Sequence, residues 1–162
     1  YHMGEKDHIF KNTLWEEGTR VPVVIAAPGF EGGKVCSHPV SLIDLYPTMS
    51  DLCGLMKNPE NDGFSLKPFL ENPNTENWEG PDAALSVVQG DHKLGYFEKG
   101  DPKLQHYSIR TQRWRYTLCY DYAEELYDHR NDPHEWHNLA KNKDTADIRR
   151  KLKEKLLSML NQ

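Results

Sequence analysis

Gln105-His106-Tyr107-Ser108-Ile109-Arg110-Thr111-Gln112-Arg113-Trp114-Arg115-Tyr116-Thr117-Leu118-Cys119-Tyr120 is the run whose reading decides the fold. Two segments rich in aromatic and β-branched residues, Gln105–Arg110 and Trp114–Tyr120, flank the short polar run Thr111-Gln112-Arg113. That pattern predicts a β-hairpin. Arg110, Arg113 and Arg115 alternate along it and share a face, because successive strand side chains point to opposite sides. The arginine face reads either as solvated surface or as part of a subsite for an anionic substrate. Trp114 and Tyr116 point the other way and are expected to pack beneath a helix.

That helix is supplied by Thr145–Leu160, where Ile148, Leu152, Leu156 and Leu160 recur every four residues behind Asp144 as expected N-cap. Glu124–Tyr127 reads as one further short strand and Ala84–Gln89 as another. The polar connection Gly90–Leu104, with Gly95, Gly100 and Pro102, is expected to be a mobile loop. Upstream, Ser41–Leu55 is helical by period through Leu42, Leu45, Met49 and Leu52. Pro47 is compatible if Asp44 caps the helix, since its missing N–H then falls in the first turn. Leu55–Pro81 is mostly loop around an apolar island at Leu66–Leu70. Val21–Ala27, ended by Pro28-Gly29, reads as a buried strand with Pro22 at its beginning. Residues 1–20 have no clean period and read as an active-site-type loop.

The resulting fold class is α/β to α+β. Residues 1–82 are expected to form the end of a layered α/β core, and 83–162 a small antiparallel sheet backed by the C-terminal helix. A single leading strand cannot build its own sheet, so Val21–Ala27 is expected to need partner strands from outside the chain.

Length and composition suit an ordinary domain: 162 residues, 37% hydrophobic and 28% charged, with ten prolines and eleven glycines marking many turns. The net charge of −5 argues against nucleic acid as the main partner. The basic cluster Arg149, Arg150, Lys151, Lys153 and Lys155 reads as the solvated face of a helix. No run is apolar for long enough to span a membrane. Cys36, Cys53 and Cys119 include no C-x-x-C pair; they read as one disulfide or as three small buried or half-buried thiols, the latter favoured.

Five motifs then occur in a familiar order. His2-Met3-Gly4-Glu5, Lys11 and Thr19-Arg20-Val21-Pro22 come first, followed by Ser41-Leu42-Ile43-Asp44-Leu45-Tyr46-Pro47-Thr48. Asp62-Gly63-Phe64-Ser65-Leu66 and Ser108–Tyr116 follow, and then Glu125-Leu126-Tyr127-Asp128 with Asn131-Asp132-Pro133-His134-Glu135. The series resembles the C-terminal portion of the type I sulfatase family, in the alkaline-phosphatase-like superfamily. Its His106 and Tyr127-Asp128-His129 look most like bacterial iduronate-sulfatase-like enzymes.

The resemblance implies a parent that hydrolyses sulfate esters, expected to be those of sulfated sugars, with calcium and a formylglycine made in a C/S-x-P-x-R motif. None of the three cysteines lies in such a motif. The chain is therefore expected to lack the nucleophile and the metal ligands, which would belong to a missing N-terminal part, and to be inactive in isolation. Lys11 stands where the family places a lysine on the substrate sulfate, for which an ammonium is apt. His106 reads either as a donor to an ester oxygen or sugar carboxylate, or as a half-exposed strand histidine. Arg110 is the third substrate-binding candidate. His2 and His8 around Glu5 are expected to be hydrogen-bonding loop residues, not metal ligands, and Arg20 to pair with Glu16 or Glu17. The expected partner is a sulfated small molecule or glycan, and the compartment of the parent, periplasmic or secreted, is left open. Two alternatives stand beside this reading: a phosphonate or phosphodiester hydrolase of the same superfamily, and a non-catalytic glycan-binding or interaction module.

Overall fold

The hairpin closes through the side chain of its own turn. Trp114 N donates to Thr111 Oγ1 at 2.9 Å, and the same hydroxyl donates to Trp114 O at 3.1 Å. The computed structural model describes residues 2–90 and 100–161. Its elements are β1 (His2–Met3), β2 (Ile9–Phe10), α1 (Glu16–Thr19), α2 (Leu45–Leu52), α3 (Lys67–Glu71), β3 (Ala83–Gln89), β4 (Gln105–Thr111), β5 (Trp114–Leu118), β6 (Glu124–Asp128) and α4 (Ala146–Leu160). The chain folds as two compact units, Tyr1–Val21 with Leu85–Gln162, and Pro22–Ala84.

In the first unit, four strands form a sheet in the order β3-β4-β5-β6. The antiparallel register sets Ile109 opposite Tyr116 and Tyr116 opposite Leu126. These three are fully buried, as is Leu156 of α4, which packs on β4 and β5. Glu124 ties the helix to the sheet by accepting from Tyr116 Oη at 2.6 Å and Lys153 Nζ at 3.1 Å, with Arg149 Nη1 at 3.2 Å. Arg150 pairs with Asp147 and Glu154, so much of the basic face of α4 is internally neutralised. Trp114 is only half-buried, its ring covered by the Arg113 guanidinium at 4.7 Å. The cap of α4 lies earlier than expected. Asn142 Oδ1 accepts from Asp144 N at 2.9 Å and opens a single 3-10 turn, Lys143–Thr145, that runs into the helix. Within the expected loop Gly90–Leu104, residues 91–99 lie outside the described residues. At its ends Gly90 N donates to Leu104 O at 2.9 Å, and Asp101 caps a 3-10 turn at Pro102–Leu104.

In the second unit, α2 follows a 3-10 turn at Leu42–Asp44, with Pro47 in its first turn as its missing N–H requires. The Asp44 carboxylate does not cap α2. It accepts from Ser41 N at 2.8 Å and from Phe64 N at 2.9 Å, joining two distant motifs. Thr48 Oγ1 accepts from Leu66 N at 2.8 Å, and Asp51 accepts from Ser65 Oγ at 2.7 Å. Gly63 must be glycine here, because a Cβ would meet Ile43 O at 2.3 Å. His38, Phe69 and Trp78 close the unit as a ring cluster with centroids 4.9–5.1 Å apart.

Two expectations are corrected. Within this chain Val21–Ala27 is not a buried strand: it joins no ladder among the described residues, and Val24 is 91% exposed, which leaves untouched the expectation that its partner strands come from outside the chain. A strand needs a hydrogen-bonding neighbour, and none of the described strands offers one. Cys36 and Cys53 are exposed free thiols, not buried ones; Cys119 is half-buried and also free. No helix is long and apolar enough to cross a membrane among the described residues.

Leu156→Ala should lower stability by about 2–5 kcal/mol, as large-to-small changes at fully buried sites do, while the same change at the partly exposed Leu157 should cost much less. Urea unfolding of the two variants checks the depth of the α4 core.

Candidate substrate-binding site

One face of the sheet carries charge in place of apolar packing. Arg110 stands opposite Arg115, Ser108 opposite Thr117, and Arg115 opposite Tyr127, so these residues share that face with Glu125. Residues 2–20 fold against it. Trp15 Nε1 donates to Glu125 Oε2 at 2.8 Å, and Glu16 N donates to Glu135 Oε2 at 2.9 Å. Gly18 permits the tight turn that follows, since a Cβ there would lie 2.3 Å from Thr13 Oγ1.

Arg115 is the centre of the arrangement and is 1% exposed. It donates to Glu16 Oε2 at 2.6 Å, Glu135 Oε1 at 2.5 Å, Thr19 Oγ1 at 3.0 Å and Ser108 Oγ at 3.2 Å. Arg110 Nε joins Glu16 Oε2 at 3.0 Å, and His129 Nε2 lies 2.8 Å from Glu135 Oε1. The arginine face is therefore not solvated surface at Arg115. Arg113 faces away from this network and pairs with Asp128 at 2.7 Å. Arg20 does pair with Glu16, at 4.0 Å and largely exposed.

Burial pushes the Glu135 carboxyl up, but the His129 hydrogen bond and the Arg115 charge outweigh it and hold it below the ordinary value. Glu16 follows the same logic: burial raises it, and the Arg110 and Arg115 charges outweigh that and hold it below the ordinary value. Glu16, His129 and Glu135 hold ligand atoms within 4.8 Å of one another. They do not fit calcium, which takes six to eight oxygens, because the Arg115 guanidinium already bonds both carboxylates.

The loop above this network is a small antiparallel hairpin, with His2 opposite Phe10 and Met3 opposite Ile9. Its backbone is unusual: Lys6, Asp7, Phe10 and Asn12 have φ of 55°, 56°, 120° and 71°. Asn and Asp tolerate this region, but Lys6 and Phe10 do not gain from it. Such residues cost on the order of 1–3 kcal/mol each and persist where surroundings over-determine them. Lys6 is one such determinant. Its ammonium lies 4.4 Å from the Trp15 ring centroid and 4.3 Å from that of Tyr127, and it donates to Tyr127 Oη at 3.1 Å and to Glu135 O. Burial lowers its pKa, against the pull of Glu125 and Glu135. His2, fully buried, bonds Thr13 Oγ1 at 2.9 Å through Nε2 and meets His8 and Trp15 edge-on. Lys11 follows β2 directly and is exposed.

His106 lies two residues before Ser108 on β4, hence on the loop-facing side, roughly 7 Å up the strand. Its ring meets Tyr120 edge-on at 5.1 Å, and its Nδ1 is buried with no hydrogen-bond partner among the described residues. Of the three sequence candidates, Lys11 is an exposed cation, His106 has an unsatisfied buried nitrogen, and Arg110 is engaged with Glu16 and the Thr111 carbonyl. Sequence alone assigned Lys6 and Glu135 no role, and Arg115 read only as one member of an arginine face, solvated or substrate-binding. The Asp-Pro-x-Glu pattern at 132–135 was the available signal for the last.

The motif series and the four-stranded antiparallel sheet with its C-terminal helix resemble the end of the sulfatase fold, and the comparisons agree on that family. The profile for the C-terminal region of N-sulphoglucosamine sulphohydrolase matches residues 4–162, and the chain belongs to that family. It is 30% identical to a sulfatase of Formosa agariphila over 88% of its own length and 25% of that protein. A structure solved in complex with its substrate D-glucosamine-2-N,6-O-disulfate superposes with a TM-score of 0.82 and 28% identity, covering 99% of this chain and 32% of that one. The phosphonate monoester hydrolase of Agrobacterium radiobacter matches at a TM-score of 0.57 and 32% identity, over 74% of this chain and 24% of that one. The chain thus spans about a quarter to a third of the length of these proteins.

Arg115→Met should destabilise the protein by about 3–5 kcal/mol, because it leaves buried carboxylates without their partner. Since Glu16 and Glu135 titrate below their ordinary 4.5, their contribution is complete above that pH and is lost as pH falls through the lowered values. The melting temperature should therefore drop below about pH 4.5, and Glu135→Gln should flatten that acid limb.

Proposed function

We propose that this chain is the substrate-side part of a sulfuric ester hydrolase acting on a sulfated sugar, in which Lys11 binds the sulfate and His106 contacts the sugar. The exposure of Lys11 at the end of a strained, doubly anchored hairpin carries the reading. An ammonium there offers three donors to sulfate oxygens and stabilises charge on the transferring group. Arg110 is assigned to holding Glu16, and through it the loop. The substrate named for the structural neighbour supports a sulfated amino sugar as the ligand class. His106, as an imidazole on the loop-facing side of β4, suits a sugar hydroxyl or carboxylate.

The family's formylglycine and calcium would come from the remainder of the parent, and supply there the nucleophile and the cation that holds it. Within this chain, the residues described bind and orient substrate. The isolated 162 residues are expected to release no sulfate. Metal-dependent turnover by them alone would overturn that division of labour.

The similarity to a phosphonate monoester hydrolase favours one competing reading, with the same site taking a phosphonate ester. Full-length protein should release sulfate from sulfated glucosamine and p-nitrophenyl sulfate faster than it cleaves p-nitrophenyl phosphonates. Lys11→Ala should lower kcat/KM for sulfate esters by on the order of 100-fold, the scale for losing one charge-stabilising donor. Faster cleavage of phosphonates would transfer the assignment. Failure on every ester, with saturable binding of a sulfated glycan, would make the chain a binding module.

A further inference from the structure

We propose that Lys6 is a positioning residue for Lys11: it never touches substrate, but holds the hairpin in the form that presents the Lys11 ammonium. The inference rests on Lys11 being the sulfate ligand. Lys6 sits in the turn between β1 and β2, and Lys11 leaves the far end of β2. The turn itself is fastened by short-range backbone bonds, Gly4 N to His8 O at 3.0 Å and His8 N to Glu5 O at 3.1 Å. Those bonds do not connect it to the sheet. Lys6 does, through the Tyr127 hydroxyl, the Glu135 carbonyl and the faces of Trp15 and Tyr127.

A second fastening lies on the other side of Lys11, where Trp15 and Glu16 bond Glu125 and Glu135. Lys11 is therefore suspended between two anchors that share one floor. Positive φ at Phe10 and Asn12 on both sides of it means that the backbone there relaxes if either anchor lets go. A half-buried cation between two rings is also hard to replace, because an apolar side chain would leave the Glu135 carbonyl and Tyr127 hydroxyl without their donor.

The experiment is a double-mutant cycle in the full-length enzyme, with Lys6→Met, Lys11→Ala and the pair, reading kcat, KM and inhibition by inorganic sulfate. Lys6→Met is expected to raise KM and the sulfate inhibition constant about tenfold in the presence of Lys11, and to change neither in the Lys11→Ala background. Lys6→Arg, which keeps a cation over both rings, should recover most of the loss. If Lys6→Met yields no folded enzyme, the cycle is run with Lys6→Arg, whose smaller effect should likewise vanish when Lys11 is absent. Multiplicative effects, or an unchanged KM in the Lys6 variants beside a raised one in Lys11→Ala, would overturn this inference alone. A wild-type KM in Lys11→Ala would instead sink the assignment of Lys11, and this inference with it.

Discussion

The Arg115 guanidinium, buried between Glu16 and Glu135, is the interaction on which the first unit depends. A lone charge at that depth would be expensive to bury, and so would either carboxylate; together they neutralise one another and fill each other's hydrogen-bonding capacity. Apolar residues of similar volume could pack the same space. What an ion network adds is direction. Glu16 accepts from two arginines on neighbouring strands, so the loop that contains it docks in one register on the sheet.

Much of the architecture was legible in local pattern. The hairpin, its short partner strand and α4 announce themselves by alternation and four-residue spacing, because their formation depends on neighbours in the chain. Pro47 is placed correctly in the first turn of α2 for the same reason. What escaped depends on distance. Arg115 looks like an exposed strand arginine until Glu16, 99 residues earlier, and Glu135, 20 residues later, are brought to it. Val21–Ala27 has the composition of a buried strand, and the expectation that its partner strands lie outside the chain fits its exposure here. Chain order equally hides that the first twenty residues fold with those after position 85.

The candidate site divides along the same line. Lys11 is a candidate only through the family resemblance, which places a sulfate-contacting lysine at that position after Gly4-Glu5. His106 came from its place at the mouth of the hairpin, and its unpartnered Nδ1 could not have been read from sequence. Lys6 follows the quoted Gly4-Glu5 directly, and in sequence alone a lysine in a polar loop looks solvated. Two aromatic faces and a carbonyl from residues 15, 127 and 135 make it a structural cation.

The long separation between Glu16 and its partners also sets an order in time. During synthesis the lysine loop leaves the ribosome before most of the sheet exists, and about a hundred residues must follow before its floor is complete. At translation speeds of roughly 5–20 residues per second, that is a wait of several seconds or more. For that interval the segment around Lys11 has charged groups without partners and a backbone with no reason to hold positive φ. Within this stretch the lysine loop is thus made before the sheet that holds it and takes shape only after it, and the intervening segment Pro22–Ala84, whose motifs bond to one another, can fold while it waits.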